Sequence, residues 1–288
     1  MVKVGLLTYY KAPDLTISDR KLIPLLSLYG IEAEPVIWNS FEIDWSNYNA
    51  LIFRSTWDYY LLPDIFTEWL HKIESLGLKI YNPYQVIINN MHKFYLRNME
   101  QDGFRIIPSV FVPSSSDFDL ASLLPATWED FVIKPAVSAG SFLTTLCNIN
   151  QINDIIKSYA PVSAVKDLII QKFMPEIQTI GEVSLVFFNK KFSHAVLKRP
   201  KEGDFRIQSQ FGGKYETFIP DNYLIKTTQS IVNYISEDLL FARVDGVLVN
   251  GEFYLMELEL IEPDLYLELT DNGTDRFVYE IARQFRLT

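Results

Sequence analysis

Lys134 closes the apolar run Phe131-Val132-Ile133 and is followed by Pro135-Ala136-Val137-Ser138-Ala139-Gly140-Ser141. Small residues let successive backbone N–H groups approach an anion, and the lysine adds a point charge suited to phosphate. The order GxxxxGK[ST] is absent, so this is not a Walker loop. The plain alternative is a lysine at a strand end with its head in water. Glu257 and Glu259 stand two apart in another apolar segment, so both leave the same face of a strand. With Asp245 they form an acidic set whose mutual repulsion a cation would relieve. Such oxygen donors suit Mg²⁺, which takes one or two carboxylates plus substrate phosphates. The alternative is a solvated strand face.

Three weaker features accompany these. Lys198, Arg199, Lys201, Arg206 and Lys214 cluster beside Gly203, Gly212 and Gly213, which reads as a mobile anion-binding loop or as a solvated hairpin turn. Arg54-Ser55-Thr56-Trp57-Asp58-Tyr59 follows the strand-like Leu51-Ile52-Phe53. Ligands bind beyond the carboxyl ends of parallel strands, where Arg54 could clamp a carboxylate, or merely form an ion pair at a helix start. Leu168–Met174 is an apolar strand running into a linker that could offer backbone groups to an adenine edge. His71, His92 and His194 show no ligand spacing, Cys147 reads as a packing residue, and no Gly-x-Ser-x-Gly elbow is present.

The elements that must position these residues alternate strand and helix in the first third. Strands are expected at Val2–Leu7, Ala33–Trp38, Ala50–Phe53 and Leu78–Tyr81. Helices are expected at Ser18–Tyr29, capped by Ser18 and closed by Gly30, and at Ile65–Leu76, closed by Gly77. That is a parallel α/β unit ending near Asn82-Pro83. A helix over Asn89–Gln101, a strand over Ile106–Val112 and a polar Ser/Asp loop come next. The hairpins Glu182–Phe188/Phe192–Leu197 and Phe241–Val249/Glu252–Leu260 follow, with helices at Tyr223–Leu239 and Asp275–Arg286. The remainder is therefore α+β.

The 288 residues suggest about two packing units, and 48% hydrophobic with 22% charged residues excludes a disordered chain. A net charge of −10 without a basic block disfavours nucleic-acid and anionic-membrane partners. A single cysteine excludes a disulfide framework and fits a reducing cytoplasm. No targeting segment or membrane span is expected.

Metal ligation by all three carboxylates demands a particular hairpin register. A plain two-residue Asn250-Gly251 turn pairs Asp245 with Met256 and turns Asp245 away from both glutamates. A three-residue loop with Gly251 at positive φ, or a bulge of equal effect, brings all three onto one side.

The order Lys93, Lys134 with its small-residue loop, Gln171, Gly181-Glu182, Arg206 with Gly212-Gly213, then Asp245, Glu257 and Glu259 resembles the ATP-grasp superfamily, including prokaryotic glutathione synthetases. Arg54–Tyr59 and the run Glu257–Pro263 resemble more closely the cyclo-ligases of cycloserine biosynthesis. The resemblance implies an ATP-grasp fold with an N-terminal domain (1–88), a central lid (89–170) and a C-terminal subdomain with the metal site (171–288).

It also implies roles. Lys93 and Lys134 would contact ATP phosphates, with Ser138, Gly140 and Lys198 nearby. Gln171, Lys172, Phe173 and Met174 would hold adenine and Glu182 the ribose. Asp245, Glu257 and Glu259 would bind Mg²⁺, or Mn²⁺ in its place. Arg206 and Lys134 would act at the transferred group, with Arg54, Thr56, Asp58, Arg206 and Gly213 facing substrate. Most of the superfamily carries Glu-x-Asn where this chain has Glu257-x-Glu259, and the Ser-Pro-Thr run of glutathione synthetases is missing. The implied activity is ATP-dependent carboxylate–amine ligation, or cyclisation, of a small amino-acid-like substrate through an acyl phosphate. A small-molecule kinase and a nucleotide-binding protein without turnover are the alternatives. A homodimer is common among such proteins.

Overall fold

The computed structural model describes residues 2–114, 119–204 and 206–288. Residues 115–118 of the expected polar loop, and Phe205 in the basic segment, lie outside these. Among the described residues the strands build three sheets. The first, in the order β2-β1-β3-β4, is parallel and uses Val2–Thr8 (β1), Ile31–Ile37 (β2), Ala50–Phe53 (β3) and Lys79–Tyr81 (β4). β3 is buried along its whole length, as expected of a strand covered on both faces.

Another sheet, in the order β5-β8-β6-β7, is antiparallel and uses Ser109–Val112 (β5), Asp130–Pro135 (β6), Thr145–Asn148 (β7) and Leu168–Lys172 (β8). The helix Ile152–Ser163 covers it, with Ile155 and Tyr159 packed on Phe131, Ile133 and Cys147. The largest sheet runs β11-β10-β9-β12-β13, through Glu182–Phe188 (β9), Lys191–Arg199 (β10), Lys214–Phe218 (β11), Phe241–Val249 (β12) and Glu252–Glu259 (β13). One face is apolar: Val183, Leu185, Phe187, Ala242, Val244 and Leu258 pack with Leu224, Ile231 and Val232 of the helix Asn222–Tyr234. Period-two alternation sends Glu182, Ser184, Arg243, Asp245, Glu257 and Glu259 to the other face.

Several elements depart from the expected pattern for local reasons. The helix expected over Ser18–Tyr29 is two pieces, Ile17–Arg20 and Leu22–Ser27, because Pro24 supplies no N–H and restrains the residue before it. Thr16 rather than Ser18 caps it, its hydroxyl accepting from the Asp19 N–H at 3.1 Å. The helix expected over Asn89–Gln101 is also split, into Tyr84–Asn90 and Tyr95–Gln101. Lys93 lies in the break, where its N–H donates to the Ala136 carbonyl at 2.9 Å. Pro108 divides the expected strand Ile106–Val112. Ile107 N–H donates to Leu255 O on β13, while Ser109–Val112 pairs with β8.

The β12–β13 hairpin closes with Asn250 and Gly251 both at positive φ, 51° and 82°, and pairs Val249 with Glu252. This is the two-residue turn, not the three-residue loop. A bulge corrects its register: Gly246 pairs Leu255, but Asp245 pairs Glu257 and Arg243 pairs Glu259, leaving Met256 as the extra residue. The bulge alternative therefore holds, and Asp245 shares a face with both glutamates. Gly246 is required there, since a Cβ would come within 2.3 Å of the Tyr254 carbonyl oxygen.

Asn82 locks the parallel sheet to this hairpin. Its Nδ2 donates to Phe241 O (2.9 Å) and Leu260 O (2.7 Å), and its Oδ1 accepts from Leu240 N (2.8 Å). Two stability outcomes follow, both read by urea unfolding. Gly246→Ala overpacks the bulge and lowers stability by about 1–3 kcal/mol. Asn82→Ala strands buried backbone groups and costs about 2–4 kcal/mol. Unchanged midpoints would refute both packing assignments.

Candidate active site

A cavity of about 660 Å³ lies between the polar face of the large sheet, the small antiparallel sheet and the loops leaving the parallel sheet. It gathers Lys93, Lys134, Ser138, Gly140, Gln171, Lys172, Phe173, Met174, Glu182, Lys198, Arg206, Asp58, Asp245, Glu257 and Glu259. Arg54, Thr56 and Gly213 are not on its wall.

The charges on the large sheet interleave. Lys198 Nζ on β10 lies 2.5 Å from Glu182 Oε1 and 3.3 Å from Asp245 Oδ2. Arg243 donates to both oxygens of Asp245, at 2.8–3.1 Å, and also to Glu259. Ser184 Oγ donates to Asp245 Oδ1 at 2.5 Å. Lys93 Nζ reaches Glu257 Oε1 at 2.9 Å and Ser138 O at 2.5 Å.

These contacts set the protonation of the cavity. Burial raises Asp245, but Arg243 and Lys198 outweigh it and hold the carboxyl at about 2. Burial likewise raises Glu257, and Lys93 and Lys134 bring it below its usual value. Glu259 is pushed up to about 8, by burial first. Arg243 opposes the rise, but that guanidinium is shared with Asp245, and Asp245 and Glu257 add repulsion. Burial pulls the Lys134 ammonium down to about 8, with Glu257 raising it and Lys93 lowering it further. Burial lowers Lys198 too, yet Asp245 and Glu182 hold it above its usual value.

The phosphate-loop candidate is compact. Lys134 is buried on β6. Ser138 Oγ donates back to Pro135 O at 2.9 Å, and Gly140 and Ser141 take φ of 58° and 63°. Gln171 Nε2 donates to Ser109 Oγ at 3.1 Å, while the N–H groups of Lys172 and Phe173 donate to Pro108 O and Asp130 O.

The site fits Mg²⁺ through its donor chemistry. Glu257 and Glu259 are hard oxygen donors facing the cavity, and their repulsion is what a divalent cation would neutralise. Asp245 is less available, because its oxygens accept from Arg243, Lys198 and Ser184. Among the described residues no three His, Cys, Asp or Glu side chains are already gathered as a metal cluster. The glutamate pair therefore carries the fit, leaving remaining positions to phosphate oxygens and water.

Four expectations need correction. Arg54 is 2% exposed and already clamps Asp19, with Nε 2.8 Å from Oδ1, while its guanidinium lies over Phe241 and Phe277. It braces the fold and has no free face for a substrate carboxylate. Thr56 is fully buried beneath the same loop. Gly213 serves chain closure, since a Cβ there would lie 1.8 Å from Ile207 O. The basic cluster is not a free anion loop either. Lys198 is internal to the sheet, Arg199 pairs with Glu216, and Arg206 pairs with Asp204 at 2.9 Å while stacking on Phe211. Arg206 still lines the cavity.

Sequence reasoning missed Arg243, Glu262, Asp264 and Tyr266, all on the cavity wall. Arg243 was findable, because it stands two residues before Asp245 on one strand. The other three follow β13 in a segment without periodicity.

A family model described as the N-terminal domain of D-cycloserine synthetase DcsG matches residues 4–82. The cycloserine biosynthesis protein DcsG of Streptomyces lavendulae is 25% identical over 293 residues, covering 93% of this chain and 95% of that protein. The crystal structure of D-cycloserine synthetase DcsG superposes with a TM-score of 0.86 at 23% identity, over 99% of this chain and 100% of that one. D-alanine–D-alanine ligase from Bacillus anthracis, complexed with ATP, superposes at 0.72 and 13% identity, over 99% of each chain. The chain thus has the ATP-grasp fold and is similar in both sequence and structure to DcsG.

Proposed function

We propose that this chain is an ATP- and Mg²⁺-dependent carboxylate–amine ligase or cyclo-ligase acting on a small amino-acid-like substrate through an acyl phosphate. The observation that carries the reading is the single cavity that places buried Lys93 and Lys134 opposite Glu257 and Glu259. That juxtaposition suits a polyphosphate bridged to a metal.

A carboxylate is a poor acyl donor because its oxygen leaves badly. Phosphorylation by ATP makes that oxygen a good leaving group, and an amine nitrogen then displaces phosphate. Lys93, Lys134 and Arg206 supply charge complementary to the transferring phosphoryl group. Mg²⁺, held by Glu257 and Glu259 with Asp245 beside them, would neutralise the phosphates. In this reading Glu182 would hold the ribose hydroxyls, and Gln171 to Met174 the adenine. Lys198 ties Glu182 to Asp245, so the ends that would hold ribose and metal share one sheet. Residues 138–141 and Arg206 line the cavity, and their loops suit water exclusion, which an acyl phosphate requires.

The proposed division is 1–88, 89–170 and 171–288, with Lys93 near the first boundary and the second falling within β8. Asp58 would face the substrate: it lines the cavity, and its Oδ1 accepts from Trp38 Nε1 at 2.7 Å. No helix among the described residues is long and apolar enough to cross a membrane.

MgATP at one hundred times Kd raises stability by about 2.7 kcal/mol, read as a higher melting temperature that EDTA reverses. Equal melting temperatures with and without MgATP would contradict the nucleotide site. Lys134→Ala lowers kcat/KM about 10²–10³-fold in an ADP-release assay. Cys147→Ala, remote from the cavity, leaves it unchanged. A silent Lys134→Ala would exclude the small-residue loop as the phosphate cradle.

A further inference from the structure

Among the described residues the Glu262 carboxylate takes no hydrogen bond and no ion pair, although it is half-buried on the cavity wall. The cations nearest to it are engaged elsewhere. Lys93 is held by Glu257 and the Ser138 carbonyl, and Arg243 by Asp245 and Glu259. Among the described residues no cation is paired with the Glu262 carboxyl, which lies where a ligand in the cavity can reach it.

Its surroundings are aromatic. The Trp57 indole N–H donates to the Glu262 main-chain carbonyl at 3.0 Å, which fixes the residue against the loop leaving β3. Tyr59 is buried beside it, and Glu262 is the charge that acts most strongly on its phenol. Trp57 packs with Tyr9 at 6.1 Å and Tyr59 with Tyr60 at 6.3 Å between ring centroids, and all four rings line the cavity. A carboxylate without an ion pair, beside indole and phenol rings and repelled by Glu259 and Glu257, complements a primary ammonium ion, which gains both a charge-assisted hydrogen bond and cation–π contact. A second divalent cation would want several oxygen donors of its own, and Glu259 and Glu257, the carboxylates that act on Glu262, are already given to the first cation.

We propose that Glu262 is a specificity-determining residue that anchors the protonated amino group of an amino-acid substrate, with Trp57 holding it in position. The inference rests on the ligase reading and names its substrate class: a carboxylic acid that carries a free primary amine. The amine at this anchor is the recognised group rather than the nucleophile, since it stays protonated there.

The test compares wild type with Glu262→Gln and Glu262→Asp. Each is assayed for ADP release with MgATP and a panel of L-amino acids, D-alanine and D-serine, every one beside its N-acetyl derivative. MgATP binding is measured separately by calorimetry. Free amino acids that support ADP release lose at least 100-fold in kcat/KM on N-acetylation. Glu262→Gln raises KM for the amino acid about 100-fold, holds kcat within about threefold and leaves MgATP affinity unchanged, and Glu262→Asp recovers part of the loss. Equal use of N-acetylated acids, or a KM unmoved by Glu262→Gln, overturns the anchor while the ligase reading stands. A fall in MgATP affinity with Glu262→Gln makes it a nucleotide or metal ligand and overturns the anchor as well. Wild type that binds MgATP yet releases ADP with no amino acid overturns both the anchor and the amino-acid ligase reading.

Discussion

Four carboxylates on one sheet face can be buried together only if cations separate them. Lys198 between Glu182 and Asp245, Arg243 between Asp245 and Glu259, and Lys93 against Glu257 do this. The charges alternate across β10, β9, β12 and β13, and removing one member leaves an uncompensated buried charge, a strongly destabilising change. The network also orders the site. Asp245 is saturated by its partners and stays ionised, whereas Glu257 and Glu259 keep oxygens toward the cavity with less compensation.

That arrangement depends on one local irregularity. The Asn250-Gly251 turn imposes a register that would aim Asp245 away from the glutamates, and the Met256 bulge reverses it within a few residues. Gly246 permits the backbone to come close at that point. The breaks at Met91–Phe94 and Pro108 act similarly, turning interruptions of regular structure into the placement of Lys93 and of the small sheet. Function here is carried by breaks in regular elements fixed to a regular sheet.

Much of this was legible from residues alone. Period-two spacing identified the glutamate pair, and the order of Lys93, Lys134, Glu182, Asp245 and Glu257 carried the family resemblance. β3 and both hairpins were placed within a residue or two. Other features were not legible, for physical reasons. Arg54 has the chemistry of a carboxylate clamp, but only the tertiary structure shows that Asp19 already occupies it. Thr145–Asn148 escaped notice because it is only four residues long, and Ile152–Ser163 because Pro161 inside it argues against a helix although its apolar spacing is regular. Glu262 and Tyr266 sit on an aperiodic segment, where burial and partners cannot be inferred from spacing.

The central claim is that a substrate carboxylate is activated by phosphoryl transfer in this cavity. It is tested most directly by following oxygen. An amino acid that supports ADP release is labelled with ¹⁸O in its carboxylate and turned over with MgATP, and the released phosphate is examined by mass spectrometry. One ¹⁸O atom in the phosphate for each ADP formed is the expected result, because the acyl oxygen departs with the phosphoryl group. Unlabelled phosphate, or ADP accompanied by a stable phosphorylated product and no free phosphate, would contradict the ligase account.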